Sequence, residues 1–118
     1  MTRNLIEDKI HRAVVEHLST HGVPGLVFLH PANNPRSARD GARLKRLGAR
    51  AGAFDLIFLH QGKAYALEIK RDNGRLTEEQ DGFACDFNAA GGYAFVGYGL
   101  ERCLKILRTW GLVKGRLQ

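Results

Sequence analysis

The sequence predicts a mixed α/β fold, in which a mixed β-sheet is flanked by helices in the order α-β-α-β-β-α-β-α. One observation is that apolar residues recur at helical spacing near both ends of the chain, over residues 4–20 and 100–110. Another is that the short apolar runs between them are bounded by turn-forming glycine, proline and asparagine. The 118 residues suffice for one core and not for two, so residues 1–118 are expected to form a single domain.

The first helix and the first strand are marked by their ends. Asn4, followed three residues later by Glu7, fits a capping box at the start of the helix. The helix is expected to end at residues 21–22, and residues 23–25 are expected to form a turn. Residues 25–30 include four apolar residues in succession, which predicts a short buried strand.

A second helix is predicted over residues 37–48, with Ser37 as its cap and with Leu44 and Leu47 facing inward. Five arginines in and beside it follow at intervals of 3, 4, 3 and 4, which would align them along one side of a helix. They are Arg36, Arg39, Arg43, Arg46 and Arg50. The net charge of +6 and the excess of arginine over lysine favour a nucleic-acid partner, whose phosphates these side chains would bind. The alternative is a solvated helix surface without a partner.

Two strands, over residues 53–60 and 63–70, are predicted to form a hairpin around a two-residue turn at Gln61-Gly62. In such a hairpin the numbers of paired residues have a constant sum. Asp55 would then lie directly opposite Glu68, on the same face and with the Cβ atoms roughly 5 Å apart.

The last three elements follow in the order helix, strand, helix. Thr77 and Gln80 fit a capping box that opens a helix running to about residue 90. Residues 93–98 are predicted to form a strand, and residues 100–110 form an amphipathic helix.

The opposed carboxylates of Asp55 and Glu68 suggest a metal site. Two like charges facing each other among apolar neighbours destabilise a sheet, and a divalent cation between them removes the repulsion. Oxygen ligands of this kind suit Mg²⁺ or Mn²⁺ and not zinc. Lys70, on the same face as Glu68, could position and stabilise an attacking hydroxide. The alternative is structural: a strand-end cap together with an ion pair to Lys70 or Arg71.

Two further residues have two possible roles each. Glu7 lies on the helix stripe that faces the core, so it could be a second metal contact or only part of the capping box with Asn4. Gln80 is the capping partner of Thr77 and could also reach toward a phosphate in the site.

Other features exclude some classes of protein. No apolar run is long enough to span a membrane, and the N-terminus lacks a secretory signal. Cys85 and Cys103 form neither a CxxC pair nor a disulfide framework, and both are expected to be small core residues. A reducing, cytoplasmic setting is the simplest interpretation. Three histidines are expected to be surface residues, and only His30 is of functional interest. The three are His11, His17 and His21.

Several ordered motifs resemble a known family. They are Arg43-Leu44-Lys45-Arg46-Leu47-Gly48, Ala51-Gly52-Ala53-Phe54-Asp55-Leu56, Leu67-Glu68-Ile69-Lys70-Arg71 and Leu76-Thr77-Glu78-Glu79-Gln80, with His30-Pro31-Ala32-Asn33-Asn34 before them and Gly91-Gly92-Tyr93-Ala94-Phe95-Val96 after them. Together they resemble the virus-type replication-repair nuclease (VRR-NUC) domain of the PD-(D/E)XK nuclease superfamily. The resemblance covers nearly the whole chain and is to short, stand-alone members of phage or bacterial type.

The resemblance implies a restriction-endonuclease-like core and a Mg²⁺- or Mn²⁺-dependent phosphodiesterase. It implies metal ligation by Glu7, Asp55, Glu68 and the carbonyl of Ile69, and catalytic roles for Asp55, Glu68, Lys70 and Gln80. It also implies a homodimer that acts on branched DNA, such as four-way junctions or flaps, in the cytosol of a bacterium or a phage-infected host. The chain departs from the family in one place, where Phe54 stands at the position that usually holds proline.

The leading hypothesis is therefore a metal-dependent DNA endonuclease. The alternative, from a different class, is a DNA-binding module that keeps the nuclease fold without turnover. A cleavage assay with Mn²⁺ separates the two.

Overall fold

The computed structural model describes residues 4–31 and 35–115, and its elements follow the predicted order. The helices are α1 (Leu5–His21), α2 (Ala38–Arg46), α3 (Glu78–Ala89) and α4 (Leu100–Trp110). The strands are β1 (Val27–Leu29), β2 (Leu56–His60), β3 (Lys63–Lys70) and β4 (Tyr93–Tyr98). The predicted mixed α/β class is confirmed. Within the described ranges, no helix combines the length and the apolar character needed to cross a bilayer.

The four strands form one mixed sheet in the order β1-β2-β3-β4. Strands β1, β2 and β3 are antiparallel neighbours, joined in part by the tight hairpin, whereas β4 runs parallel to β3. A parallel neighbour requires a crossover connection, and α3 provides it. The ends of β2 and β3 that carry the acidic residues therefore lie close to the start of α3.

The two faces of the sheet carry separate apolar clusters, because successive strand residues point to opposite sides. On one face, Phe58 and Leu67 pack with Val14 of α1 and with Cys103 and Leu107 of α4. The apolar face of α4 is thus used within the chain.

On the other face, α3 covers a smaller cluster. Phe83 of α3 packs there against Phe54, Ala66 and Ala94. Asp55 and Glu68 belong to this second face, at the edge of the cluster that α3 covers.

Two strands are shorter than predicted, for local reasons. Strand β2 begins at Leu56 and not at residue 53, since the backbone N–H of Asp55 donates to the Glu68 side chain. Strand β1 begins at Val27, since the N–H of Leu26 closes a turn with the carbonyl of residue 23. Val27 and Leu29 are about half exposed at the edge of the sheet, so the prediction that this strand is buried is wrong. Residues 32–34, which are part of the predicted loop and of the motif that begins at His30, lie outside the described residues.

Helix α2 is shorter than predicted and more exposed. Ser37 caps it as predicted, accepting a hydrogen bond from the N–H of Asp40 at 3.1 Å. The helix ends at Arg46, and Gly48 then turns the backbone with a φ of +98°. Leu47 is 72% exposed, so the prediction that it faces inward is wrong. No residue of α2 is buried among the residues that the structure describes.

Candidate metal centre and active site

The β2–β3 hairpin determines where the acidic side chains lie. Both residues of the turn Gln61-Gly62 have positive φ, 50° and 78°, as a two-residue type I′ turn requires. The observed register pairs Leu56 with Leu67, as predicted. Asp55 directly precedes this pair and Glu68 directly follows it, so the two acids meet on one face of the sheet.

The carboxylates of Asp55 and Glu68 each bind the backbone of the opposite strand. Glu68 Oε1 accepts a hydrogen bond from the N–H of Asp55 at 3.1 Å. Asp55 Oδ2 accepts one from the N–H of Ile69 at 2.9 Å. These reciprocal bonds hold both acids at the same end of the hairpin. They are also the contacts expected of a structural pair that caps the ends of two strands.

Lys70 and Gln80 converge on the second oxygen of Glu68. Lys70 Nζ lies 3.7 Å from Glu68 Oε2, and Gln80 Nε2 donates to the same oxygen at 2.9 Å. Glu68 is 4% exposed and Lys70 is 8% exposed, so this ion pair is almost fully removed from water. The ion pair that the structural alternative requires is thus present, in a setting where charges are costly to bury.

Gln80 combines two functions in one amide group. Its Oε1 accepts from the backbone N–H of Thr77 at 3.0 Å, while the backbone N–H of Gln80 donates to Thr77 Oγ1 at 3.1 Å. The predicted capping box is therefore formed. Because the amide nitrogen binds Glu68, the first turn of α3 is tied to the end of β3.

Glu7 reaches the same end of β3 from α1. The side chain of Asn4 caps the helix by accepting from the N–H groups of Ile6 and Glu7. The carboxylate of Glu7 instead accepts from the N–H of Arg71 at 3.1 Å, and Glu7 is buried. This contact spans 64 positions of the chain and brings a third acid to the residue that follows Lys70.

Apart from the exposed Arg71, the side chains of the described residues that meet at this end of β3 carry more negative than positive charge. It holds three carboxylates, from Glu7, Asp55 and Glu68, and the ammonium of Lys70, which gives −2 when all four are ionised (three times −1, plus 1). Burying unbalanced charge is costly, and a divalent cation would balance it. The donors are carboxylate oxygens, the ligands that Mg²⁺ and Mn²⁺ prefer. The oxygen chemistry of these three acids therefore suits a divalent cation.

The negative charges of Asp55 and Glu68 also affect the pKa of a thiol on the other face of the sheet. Cys103 of α4 is buried there, with its Sγ 3.4 Å from the carbonyl oxygen of Gly97. Burial, and then the negative charges of Asp55 and Glu68, raise the pKa of the Cys103 thiol to about 12. Cys103 is a core residue as predicted, whereas Cys85 is exposed, so that prediction is wrong.

Two histidines, His11 and His30, lie next to Asp55, and only His30 was predicted to be of functional interest. His30 Nδ1 lies 2.6 Å from the carbonyl oxygen of Asp55. His11 packs edge-on against His30, with ring centroids 4.8 Å apart, and it is not an exposed surface residue as predicted. The overlooked signal was its spacing, since His11 stands four residues after Glu7 on the stripe of α1 that faces the core.

The five arginines do not lie along one helix, contrary to the prediction. Helix α2 spans residues 38–46, so Arg36 precedes it and Arg50 follows it. Arg50 turns toward α3, where it forms a 2.6 Å ion pair with Asp86 and lies over the ring of Phe83. The arginines on the helix are Arg39, Arg43 and Arg46, all exposed.

Phe54, which stands where the family usually has proline, is fully buried. Its ring packs on that of Phe83 in α3, with centroids 5.2 Å apart. Packing against α3 therefore anchors the backbone directly before Asp55.

Comparison with known proteins places this arrangement in a known fold. No protein-family model matches the sequence, and no curated protein matches it. Among solved structures, the chain is similar to a protein described as "VRR_NUC domain protein", with a TM-score of 0.73 and 22% sequence identity. The match covers 92% of this chain and 90% of that chain. The chain therefore has the fold of a VRR_NUC domain protein. This agrees with the restriction-endonuclease-like core that the resemblance of its motifs implies.

Proposed function

We propose that this protein is a nuclease of one domain, residues 1–118, that hydrolyses phosphodiester bonds in DNA with Mg²⁺ or Mn²⁺ as its cofactor. The observation that carries the proposal is the meeting of Asp55 and Glu68 on one face of the hairpin, with Lys70 beside Glu68 and both of these buried. The similarity to a VRR_NUC domain protein supports it.

The proposed roles combine these contacts with those that the family resemblance implies. The cation would be held by four groups: the carboxylates of Asp55, Glu68 and Glu7 and the carbonyl of Ile69. A bound divalent ion supplies Lewis-acid activation of a water and of the scissile phosphate. Lys70, whose Nζ lies 3.7 Å from Glu68 Oε2, would orient the attacking hydroxide and offset the charge that develops on the phosphate. Gln80 holds Glu68 in place through its 2.9 Å bond, and it would also contact the scissile phosphate.

The arginines would bind the DNA backbone. Arg36, Arg39, Arg43 and Arg46 are exposed, and a planar guanidinium suits bidentate contact with phosphate. Arg50 would join them only by exchanging its ion pair with Asp86 for a phosphate. Contacts of this kind position the duplex and carry little sequence information, so we expect weak sequence preference.

We propose branched DNA, such as four-way junctions or flaps, as the substrate and a cytoplasmic homodimer as the active form. A dimer would present two active sites to a symmetric junction. Strands β1 and β2 supply a candidate dimer surface, because Val27, Leu29 and Leu59 are about half exposed on one face. Sedimentation of Leu59→Asp is expected to show a monomer, and an unchanged dimer would exclude this surface.

The test is a cleavage panel. Labelled nicked, forked and four-way-junction DNA are incubated with Mg²⁺ or Mn²⁺ and with wild type, Lys70→Ala or Glu68→Gln. Wild type is expected to cut branched DNA, and both variants are expected to lose at least about 100-fold in rate while still binding.

The alternative is a DNA-binding module without turnover. One observation favours it: Glu68 contacts Lys70, Gln80 and the backbone N–H of Asp55, so that protein groups engage both of its oxygens. Binding without cutting by wild type, under every metal condition, would support the module and reject the nuclease.

A further inference from the structure

A second group of metal-ligating side chains lies beside the acidic cluster. Among the described residues, His11, His30 and Asp55 each offer a candidate ligand atom, and these atoms lie within 4.8 Å of one another. They come from α1, from the residue after β1 and from the residue before β2. Three elements that are distant in the sequence thus bring two imidazoles and one carboxylate together.

The hydrogen bond of His30 selects a tautomer that suits a metal ligand. A carbonyl oxygen only accepts, so the 2.6 Å contact with Asp55 means that Nδ1 of His30 carries the proton and donates it. In the neutral imidazole, the other nitrogen, Nε2, then has the lone pair that a metal ion needs. Metal-binding histidines commonly donate their second nitrogen to a backbone carbonyl in this way, which fixes the ring.

The donor set points to a different class of ion from the one proposed for Asp55 and Glu68. Imidazole nitrogen is a borderline ligand that favours Zn²⁺, Co²⁺ and similar transition ions, whereas Mg²⁺ prefers oxygen. Two imidazoles and one carboxylate are also a common ligand set for zinc with an open fourth position.

We propose that His11, His30 and Asp55 form a second metal site, selective for a transition ion of the Zn²⁺ type, next to the site for Mg²⁺ or Mn²⁺. Asp55 belongs to both sites. Occupancy of the histidine site is therefore expected to change the apparent affinity of the neighbouring site for Mg²⁺.

The experiment measures binding of Co²⁺ and Zn²⁺ to the full, tag-free chain by visible absorption and by calorimetry. Wild type is expected to bind one ion of either metal, and His11→Gln and His30→Gln are each expected to lower the affinity at least about tenfold. Glu68→Gln is expected to keep the site. His21→Gln is the matched control, because it removes an exposed histidine of the same helix outside the cluster.

A measurement on wild type removes any dependence on whether the variants fold. Paramagnetic Co²⁺ is expected to broaden the ring resonances of His11 and His30 before those of His21 and His60. The proposal is overturned if all the histidine rings broaden together, or if His11→Gln and His30→Gln bind Co²⁺ as wild type does. Failure of the nuclease proposal looks different, since it appears as absence of DNA cleavage whether or not Co²⁺ binds.

Discussion

The packing of the Phe54 ring restrains the backbone before Asp55, which a proline would restrain by restricting φ. A proline before Asp55 would fix φ at that position. Phe54 leaves φ unrestricted, and its ring is buried against that of Phe83. The position of Asp55, the first of the proposed metal ligands, therefore depends on the contact between that ring and α3.

This dependence predicts a specific effect of Phe54→Leu. The smaller side chain is expected to cost roughly 1–2 kcal/mol of stability and to weaken Mg²⁺ binding severalfold, since the loop before Asp55 loses its anchor. Phe58→Leu is the matched control, as Phe58 is equally buried but packs on the opposite face of the sheet. Urea unfolding and calorimetry check both effects, and equal Mg²⁺ affinities in the two variants would contradict the assigned role.

The two cysteines are expected to differ sharply in reactivity. Cys85 is exposed, whereas burial and the charges of Asp55 and Glu68 hold the pKa of the Cys103 thiol at about 12. Because thiolates are the reactive species, one thiol of the native protein should react with a disulfide reagent at pH 8 and the other only on unfolding. Cys85→Ser should remove the fast reaction, and a fast reaction that survives in that variant would contradict the expectation.

The same shift predicts how stability changes in alkali. Above the ordinary thiol pKa of 9.0, the unfolded chain loses the Cys103 proton while the folded chain keeps it up to about 12. The unfolded state then binds fewer protons, so stability falls as pH rises through this window. Cys103→Ser should lose less stability than wild type between pH 8 and pH 10.5 in urea unfolding, and an identical loss in both proteins would contradict the shift.

At the scale of elements, Gly52 joins the loop before β2 to the first turn of α3. Its φ is +82°, and a Cβ there would overlap the carbonyl of Glu79 and lie 2.6 Å from the backbone nitrogen of Gln80. Any side chain would push α3 away from the loop and move Gln80 relative to Glu68.

Gly52→Ala is therefore expected to destabilise the protein by at least about 2 kcal/mol, from backbone strain and overlap together. Gly25→Ala separates the two causes, because Gly25 has a φ of +83° with open space around its Cβ position. Urea unfolding is expected to show a larger loss for Gly52→Ala. Equal losses would mean that the close approach to α3 contributes nothing.

The sequence predicted best where local rules determine the structure. Gln61-Gly62 demands a tight turn, and the alternation of apolar residues then determines the register that brings Asp55 to Glu68. Thr77 and Gln80 likewise carry their capping geometry in four consecutive residues.

The sequence predicted least where several elements meet. The group of His11, His30 and Asp55 arises from three elements, and no short spacing reveals it. The prediction that five arginines line one helix was wrong because their regular spacing continues beyond the helix. Helix α2 ends at Arg46, and Arg50 pairs with Asp86 on another element.

For the molecule as a whole, the net charge of +6 is expected to favour DNA binding mainly through the arginines of α2. If its arginines contact phosphates, the slope of log affinity against log salt should become shallower by roughly 0.9 for each contact removed. Arg39→Ala combined with Arg43→Ala tests this by fluorescence anisotropy on junction DNA. Arg12→Ala combined with Arg75→Ala lowers the net charge equally at exposed positions outside α2, and equal slopes for both double variants would remove α2 from the interface.

The proposed nuclease activity depends above all on one divalent cation shared by Asp55 and Glu68. Thermal unfolding with and without Mg²⁺, for wild type, Asp55→Asn and Glu68→Gln, tests this most directly. At 100 times the dissociation constant, Mg²⁺ should stabilise wild type by about 2.7 kcal/mol, a rise in Tm on the order of 10 °C. We predict this rise in wild type and its loss in both variants. A rise of equal size in all three proteins would contradict a cation shared by Asp55 and Glu68.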